Sequence, residues 1–361
     1  MTLTPSTFPA ALTAATSGSV LELGPGNYGV LSLYNRAFPE RLTIKAADPA
    51  SPPVFGSAVV RGANGVNLEG LTFAFQPTMT TVEHQNVVFL DGVKNVTLRG
   101  CKVTSGMAVN GIPETSTTPD ASGNVLGWPL GRGIYLQLAQ NVEVLGCEVW
   151  GVQRGVLFYK SSGVTVAENY IHDVRRTFIL GDACDLTIRG NRLWGSKPWR
   201  WGQTPIGDHG DFIALYPSNL GPMSNVVISD NVCEQRPDGA AILGFTMASI
   251  NGLDVRGNVI TGSDHQGFMA TAVTGLKLYD NRFTGRAQIL LRLGTVGARG
   301  ANNLYAGYAD YSKGTGDNQI APSGYVAPPP PPDPRDVRIG ELEADLASAL
   351  DRLAQIAAIA A

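Results

Sequence analysis

A nine-residue pattern of apolar and polar positions recurs through the middle of the chain. Its second and fourth positions are apolar and its third is usually polar, which is the alternation of a half-buried β-strand. Successive copies start 22 to 46 residues apart, so a basic period of 22 residues with inserted loops fits them. Strands that recur at this period predict a solenoid rather than a globule. The copies begin at Gly65, Asn95, Asn141, Gly163, Asp185, Asn225, Gly252 and Gly275.

The seventh position of the pattern holds asparagine in five successive copies. An amide side chain both donates and accepts hydrogen bonds, so asparagines in one register should stack as a ladder inside the turn between two strands. Two earlier copies have cysteine instead, and these thiols either touch on successive coils or are simply buried and free. The residues at this position are Leu71, Cys101, Cys147, Asn169, Asn191, Asn231, Asn258 and Asn281.

A second strand precedes each copy of the pattern, and a third, shorter strand is expected to complete each coil. The arrangement resembles the right-handed parallel β-helix superfamily of pectate lyases, alginate-modifying enzymes and phage tailspikes. That resemblance implies an all-β, right-handed parallel β-helix solenoid over residues 36–310. Many activities occur on this scaffold, so it specifies the fold rather than the function. The second strands are Gly133–Gln137, Gly155–Tyr159, Thr177–Gly181, Asp211–Leu215, Gly239–Leu243 and Gly267–Ala270.

Residues 1–35 read as an N-terminal cap and first coil. Ser6–Thr16 is rich in alanine and predicts a short helix, and Val20–Leu23 predicts a strand before the turn Gly24–Tyr28. Such an opening looks like the usual start of domains in this superfamily. We expect the helix to cover the open end of the coil stack, which would otherwise expose strand edges.

The C-terminal segment has a different composition. Residues 311–334 form a proline-rich linker with five consecutive prolines at Pro328–Pro332, and residues 335–361 predict a helix. Apolar residues alternate at spacings of three and four in that helix, which favours a coiled coil. The spacing alone does not fix the number of chains; the resemblance to phage tailspikes implies a homotrimer. The alternative is a helix that docks on its own domain, although a stiff linker disfavours it. The apolar residues are Ile339, Leu342, Leu346, Ala349, Leu353, Ile356 and Ala360.

Composition narrows the classes of partner. Charged residues make up 16% of the chain and the formal net charge is −3, which argues against a nucleic-acid partner. No apolar run reaches the ~18–20 residues that cross a bilayer, so no membrane insertion is expected. The segment Met1–Pro5 does not resemble a signal peptide, so we expect a protein made in the cytoplasm that either stays there or leaves by assembly into a virion or phage-like particle.

Two long insertions interrupt the 22-residue period at Thr104–Gly131 and Gly195–Gly210. Loops on a rigid solenoid often carry binding sites, and both insertions follow the same part of the pattern, so they could wall one groove. The second contains Trp199, Arg200 and Trp201, which could stack on sugar rings and bond their hydroxyl groups. Alternatively, these tryptophans pack the loop or lie at a subunit interface.

Candidate catalytic residues gather around the second insertion. Aligning the strands on Ile134, Val156, Phe178 and Phe212 puts three arginines on one register beside the coil of the acid–base segment 208–211. Arginines could neutralise the carboxylate of an acidic sugar, and a histidine or lysine could then remove the neighbouring proton. The alternative is an ordinary turn with Arg–Asp pairs across coils. The candidates are Arg132, Arg154, Tyr159, Lys160, Arg176, Asp208, His209 and Asp211, of which Arg132, Arg154 and Tyr159 would bind substrate.

Three functions follow. The leading hypothesis is a receptor-binding spike or fibre of a phage or phage-like particle that recognises a cell-surface polysaccharide and assembles with other virion or tail proteins. The alternative is a polysaccharide lyase, hydrolase or epimerase that acts on an acidic glycan. The third is a purely structural spike. We predict no cofactor and no metal ion, because the four cysteines form no CxxC pair and no EF-hand-like loop is present, although acidic loops leave calcium open.

Overall fold

A computed structural model describes most of the first of two compact units, Met1–Val326, and none of the second, Ala327–Ala361. The predicted coiled coil therefore lies outside the described residues and stays a prediction. The described residues are 2–76, 85–105, 115–119, 125–127, 131–196, 210–218, 221–235, 242–263, 266–285, 288–292, 294–305, 309–310 and 318–320.

Parallel strands stack coil upon coil in a first, a second and a third stack. The first stack contains Val30–Tyr34, Ser57–Arg61, Asn86–Asp91, Arg132–Gln137, Asp211–Leu215, Gln288–Leu291 and Ala309–Asp310. The second contains Val20–Leu23, Ala37–Ala46, Asn64–Glu69, Lys94–Arg99, Gln140–Leu145, Met223–Ser229, Arg299–Ala301 and Gln319–Ile320. Four long strands run through both: Arg154–Ala167, Ile179–Arg189, Leu243–Arg256 and Gln266–Tyr279.

The third stack forms a separate sheet of short strands. These are Val54–Phe55, Thr72–Ala74, Lys102–Thr104, Glu148–Trp150, Tyr170–His172, Arg192–Trp194, Val232–Glu234, Val259–Ser263, Arg282–Gly285 and Leu304–Tyr305. Within the first insertion, Thr115–Pro119 and Val125–Gly127 pair antiparallel. The architecture is an all-β parallel β-helix, as predicted, and its strands continue to Ile320, beyond the residue 310 expected from the sequence.

The apolar positions of the repeated pattern form the core. Residues at the second position pair in register from coil to coil, for example Val66 with Val96 and Val142 with Val164. They are fully buried, as expected for strands of a parallel sheet whose inner face meets a packed core. Phenylalanines stack there as well: Phe178 lies 5.4 Å from Phe212 between ring centroids.

Turns on either side of the pattern explain its polar and glycine positions. The first and sixth positions adopt positive φ, which glycine tolerates without strain and asparagine or aspartate at modest cost. Each such residue therefore bends the chain from one stack to the next. The sixth-position residues with φ of 57–64° are Gly70, Gly100, Gly146, Glu168, Gly190, Asp230, Gly257, Asp280 and Asn302.

The predicted asparagine ladder is confirmed. Each Nδ2 donates to the Oδ1 of the next asparagine at 2.9–3.0 Å, and the same oxygen accepts a backbone N–H from the coil before it. Asn303 extends the ladder by one step that the sequence did not reveal. Its copy of the pattern has Gly300 where an apolar side chain was required, so only the 22-residue spacing from Asn281 could have indicated it. The ladder asparagines are Asn169, Asn191, Asn231, Asn258, Asn281 and Asn303.

Cys101 and Cys147 extend the same turn. Both thiols are buried and free. A hydrogen bond between them, together with burial, raises the pKa of Cys101 well above its usual range. The two thiols therefore touch without forming a disulfide, so both alternatives left by the sequence hold.

The N-terminal helix spans Phe8–Ala14, shorter than the predicted 6–16. Phe8 packs edge-on against Tyr28 and Phe55, with centroids 5.6 and 5.7 Å away. Whether the helix shields the coil stack stays a prediction. No helix within the described ranges is long and apolar enough to cross a membrane.

Candidate functional site

Side chains of the first stack that lie on the side opposite the core form what we call the site face. Several of them, including Asp211, Ala214, Thr246 and Gln266, are buried. In the strand Arg132–Gln137, Ile134 and Leu136 are buried, while Tyr135 and Gln137 are half-buried and lie on the opposite side. Alternation of this kind repeats on neighbouring coils, about 4.8 Å apart. The described side chains of the site face are Arg61, Phe89, Asp91, Arg132, Tyr135, Gln137, Arg154, Leu157, Tyr159, Lys160, Arg176, Leu180, Asp182, Asp211, Ala214, Tyr216, Thr246 and Gln266.

Cations and aromatic rings alternate at one end of this face. Phe89 and Tyr135 are paired in register and stack at 5.4 Å between centroids. The guanidinium of Arg61 lies 5.2 Å from the Phe89 ring, and that of Arg132 lies 4.9 Å from the Tyr135 ring. Such contacts hold both guanidinium groups near the centre of the strands.

A row of polar groups runs beside the rings. The Asp91 carboxylate lies 3.4 Å from Nε of Arg61 and accepts a hydrogen bond from Nε2 of Gln137 at 3.2 Å. The Tyr135 hydroxyl donates to Oε1 of Gln137 at 3.2 Å. Gln137 pairs in turn with Tyr159 on the next coil, so the row presents one polar or aromatic side chain per coil.

The predicted arginine row is only partly in register. Arg132 and Arg154 pair directly, as expected, but Val156 pairs with Ile179 and not with Phe178, so the predicted alignment at this coil was wrong. The N–H of Arg176 still donates to the Gln153 carbonyl at 2.8 Å, which keeps Arg176 beside Arg154. Between these two contacts, Thr177 and Phe178 lie opposite the single residue Gly155. A bulge of this kind leaves Arg176 next to the row but off the strand register.

Asp182 joins two coils at the far end of the face. Its Oδ1 accepts the backbone N–H of Lys160 at 2.7 Å, and its Oδ2 accepts the N–H of Ser218 at 3.0 Å as well as the Ser218 hydroxyl. Asp182 is only 7% exposed. Beside it, a depression of about 200 Å³ includes Lys160 and Cys184 in its lining.

Asp211 belongs to a buried polar cluster. Its Oδ1 accepts the hydroxyl of Thr246 at 2.7 Å, and Thr246 accepts Nε2 of Gln266 at 2.6 Å. Tyr216 forms a side-chain hydrogen bond with the same threonine. Burial first and the charge of Asp211 second raise the pKa of Tyr216 to about 12, so this phenol keeps its proton at neutral pH.

The structure brings together some of the predicted residues. The Lys160 ammonium lies 5.0 Å from the Tyr159 ring, and the coil of Asp211 follows that of Arg176 directly. Sequence reasoning missed Tyr135, Asp182, Tyr216, Thr246 and Gln266; only Tyr135 carried a signal, the outward position in its strand. The predicted residues Trp199, Arg200, Trp201, Asp208 and His209 lie outside the described residues.

His172, the one histidine in the part of the chain that the structure describes, lies on the third stack and not on the site face. Its ring contacts Asp173 at 2.8 Å and Glu148 at 3.4 Å. Burial favours the neutral ring, but the hydrogen bonds to these carboxylates outweigh it and raise the pKa of His172. It therefore belongs to a separate ionic cluster.

Known proteins share this fold. Structures similar to it include a GH136 lacto-N-biosidase from Eubacterium ramulus, with TM-score 0.50, 11% identity and coverage of 87% of this chain and 62% of that one. Pectate lyase Pel9A gives 0.49, 11%, 89% and 75%, and a mannuronic-acid-specific polysaccharide family 6 lyase from human gut microbiota gives 0.48, 13%, 89% and 82%. The chain thus spans less than two thirds of the lacto-N-biosidase, and likeness to it at 11% identity shows the fold alone.

Sequence comparison agrees with the structural one. No curated protein matches the sequence. Residues 57–219 match the family model described as a right-handed β-helix region. The described coils are therefore those of a parallel β-helix, and those within residues 57–219 match a right-handed one.

Proposed function

We propose that this protein is a polysaccharide-modifying enzyme that binds an acidic glycan along the site face and cleaves it by elimination. The observation that carries the proposal is the pair Arg132 and Arg154 in register, with Arg176 beside it, on a surface lined by aromatic rings and hydroxyl groups. Guanidinium groups bind carboxylates with charge-assisted, often bidentate hydrogen bonds. Coils about 4.8 Å apart also offer roughly one contact per sugar residue.

The chemistry follows from the charges. An arginine that neutralises the carboxylate of a uronate makes the neighbouring C–H more acidic. A base removes that proton, its electrons form a carbon–carbon double bond, and the glycosidic C–O bond breaks toward the departing oxygen. Lys160 and His209 are our candidates for the base. Hydrolysis and epimerisation of the same class of glycan would use the same carboxylate contacts.

Arg154→Gln tests the proposal. A hydrogen bond to a charged group contributes about 1.5–3 kcal/mol, so its loss should weaken binding of polygalacturonate or alginate by about 10- to 100-fold. Isothermal titration calorimetry measures the affinity, and ultraviolet absorbance of the unsaturated product measures elimination.

Arg99→Gln is the matched control, because it removes the same charge from an exposed position on the second stack. It should leave the affinity within about twofold, since an exposed charge several ångströms from the ligand is screened by solvent. Equal losses in the two variants, or equal wild-type affinity for a neutral glucan, would contradict a specific carboxylate site.

A second proposal rests on the apolar seam of residues 335–361 after five prolines. A homotrimeric receptor-binding spike on a phage-like particle would use this segment for assembly and the solenoid for contact with a surface polysaccharide. Light scattering after size-exclusion chromatography should give a trimer for the full chain and a monomer for a chain ending at Val326. A monomer in both cases would remove the support for this role.

A further inference from the structure

Asp91 is the acidic side chain of the described site face with the greatest exposure to solvent. Its side chain is 24% exposed, whereas Asp182 and Asp211, the other described acidic residues of this face, are buried. Asp91 ends the strand Asn86–Asp91, which pairs directly with the strand Arg132–Gln137. Its coil is therefore the immediate neighbour of the arginine row that the proposed function uses to bind a uronate.

Both oxygens of the Asp91 carboxylate are held in place. Oδ2 lies 3.4 Å from Nε of Arg61, and Oδ1 accepts a hydrogen bond from Nε2 of Gln137 at 3.2 Å. The three residues pair in register on consecutive coils, with Asp91 in the middle. A carboxylate has about four lone-pair sites, so each oxygen keeps one for a ligand after these contacts.

The carboxylate also fixes the direction of the neighbouring hydrogen bonds. Because it can only accept, the amide of Gln137 turns its NH₂ group toward Asp91 and its oxygen toward Tyr135. That oxygen can only accept as well, so the Tyr135 hydroxyl gives it the phenolic proton. Burial, the largest influence, raises the pKa of Tyr135, so the phenol keeps this proton at neutral pH. The lone pairs of the phenol oxygen then remain as acceptors.

This part of the site face therefore offers a ligand mainly acceptors. Asp91 and Tyr135 present lone pairs, and Gln137 has one amide N–H left to donate. Sugar hydroxyl groups donate protons and match this set, whereas a uronate carboxylate has no proton to give and is repelled by Asp91. Arg61 offsets the repulsion only in part, because its side chain is 52% exposed and solvent screens the ion pair.

We infer that Asp91 makes the coil beside the arginine row a subsite for a neutral sugar. The inference rests on the proposed function, because it takes Arg132 and Arg154 as the residues that bind the uronate carboxylate. Coils about 4.8 Å apart place the sugar over Asp91 next to the sugar over Arg132. The substrate class is thus an acidic heteroglycan in which a neutral sugar is linked to a uronate, rather than a polymer of uronates alone.

A scan of neutral sugars through an acidic oligosaccharide tests the inference. The ligands are synthetic hexauronides and analogues in which one residue at a time is the matching neutral sugar, made in the galacturonate, glucuronate and mannuronate series. At least one internal replacement should tighten binding to the wild-type protein by about fivefold, since repulsion between two charges a few ångströms apart in water amounts to roughly this factor. Isothermal titration calorimetry measures the affinities.

Asp91→Asn removes the charge and keeps the shape of the side chain. This variant should bind the preferred analogue and its parent hexauronide within about twofold of each other. Asp254→Asn is the matched control, because Asp254 lies on the second stack with a side chain that is 25% exposed and 3.7 Å from Nη1 of Arg256. Its exposure and its ion pair resemble those of Asp91, so the control should keep the wild-type preference.

Other results overturn the inference in distinct ways. If every replacement weakens binding to the wild-type protein, the site face selects uronates throughout, and the proposed function stands without a neutral subsite. If Asp91→Asn keeps the wild-type preference, Asp91 does not set it. The wild-type scan requires no variant, so it tests the subsite even where a substitution impairs folding. A wild-type protein that binds no member of any series overturns the proposed function and this inference together.

Discussion

Replacing Asn231 with alanine should lower the free energy of unfolding by about 4 kcal/mol, because the amide satisfies buried groups on both neighbouring coils. Its Nδ2 donates to the Ile188 carbonyl at 3.0 Å and to Oδ1 of Asn258 at 2.9 Å. Its Oδ1 accepts both the backbone N–H and Nδ2 of Asn191. Each buried group that loses its partner costs about 1–3 kcal/mol, and partial relaxation reduces the sum. Urea unfolding followed by circular dichroism measures the change.

The control for this prediction is Asn225→Gly. Asn225 is an exposed asparagine with φ of 55°, a conformation that glycine adopts freely, and its side chain donates one hydrogen bond to Asp185. We expect a loss below about 1 kcal/mol, since an exposed hydrogen bond is replaced by water. If Asn231→Ala costs no more than Asn225→Gly, the ladder does not stabilise the coils as argued.

Gly181→Ala should be the second severe change. Gly181 has φ of 139°, a region that residues with a side chain rarely adopt, and an added Cβ would lie 2.0 Å from the Phe158 carbonyl oxygen. A backbone atom cannot move aside as a side chain does, so we expect a loss of about 3 kcal/mol or more. The Gly181 carbonyl also accepts the backbone N–H of Tyr216 at 3.0 Å, so a shift of the coil at Gly181 would also move the backbone at Tyr216.

Gly100→Ala is the control that separates the cost of a left-handed backbone conformation from the cost of a steric clash. Gly100 also has positive φ, at 57°, but an added Cβ there meets nothing within 4 Å. Only the left-handed conformation then costs energy, about 1–2 kcal/mol. Similar melting temperatures for the two variants would show that the coil at Gly181 shifts to admit the methyl group.

The fold was predictable because its determinants are local and repeated. Apolar alternation, a residue with positive φ at the sixth position and asparagine at the seventh all fall within nine residues, so each copy reports the geometry of its own coil. Asn303 escaped notice for the same reason, since Gly300 breaks the apolar part of its copy. The ladder itself requires only that successive coils place an asparagine at the same position of the turn.

The site was less predictable because its contacts join residues with no fixed spacing. Asp211, Thr246 and Gln266 are separated by 35 and 20 residues, which is not one period, and their contact depends on how many residues each loop inserts. The arginine row failed at one coil because an extra residue near Thr177 shifts the pairing, and nothing in the local sequence announces a bulge. Arg132 and Arg154 lie on adjacent regular strands, so their pairing was found.

The ladder also bears on how such a protein can evolve. Successive asparagines are 22, 40, 27, 23 and 22 residues apart, yet their amides meet at 2.9–3.0 Å in every case. Loops can therefore lengthen or shorten between coils while the turn that holds the coils together keeps its geometry. Selection can vary the loops bordering the site face, and with them ligand preference, at little cost to the scaffold.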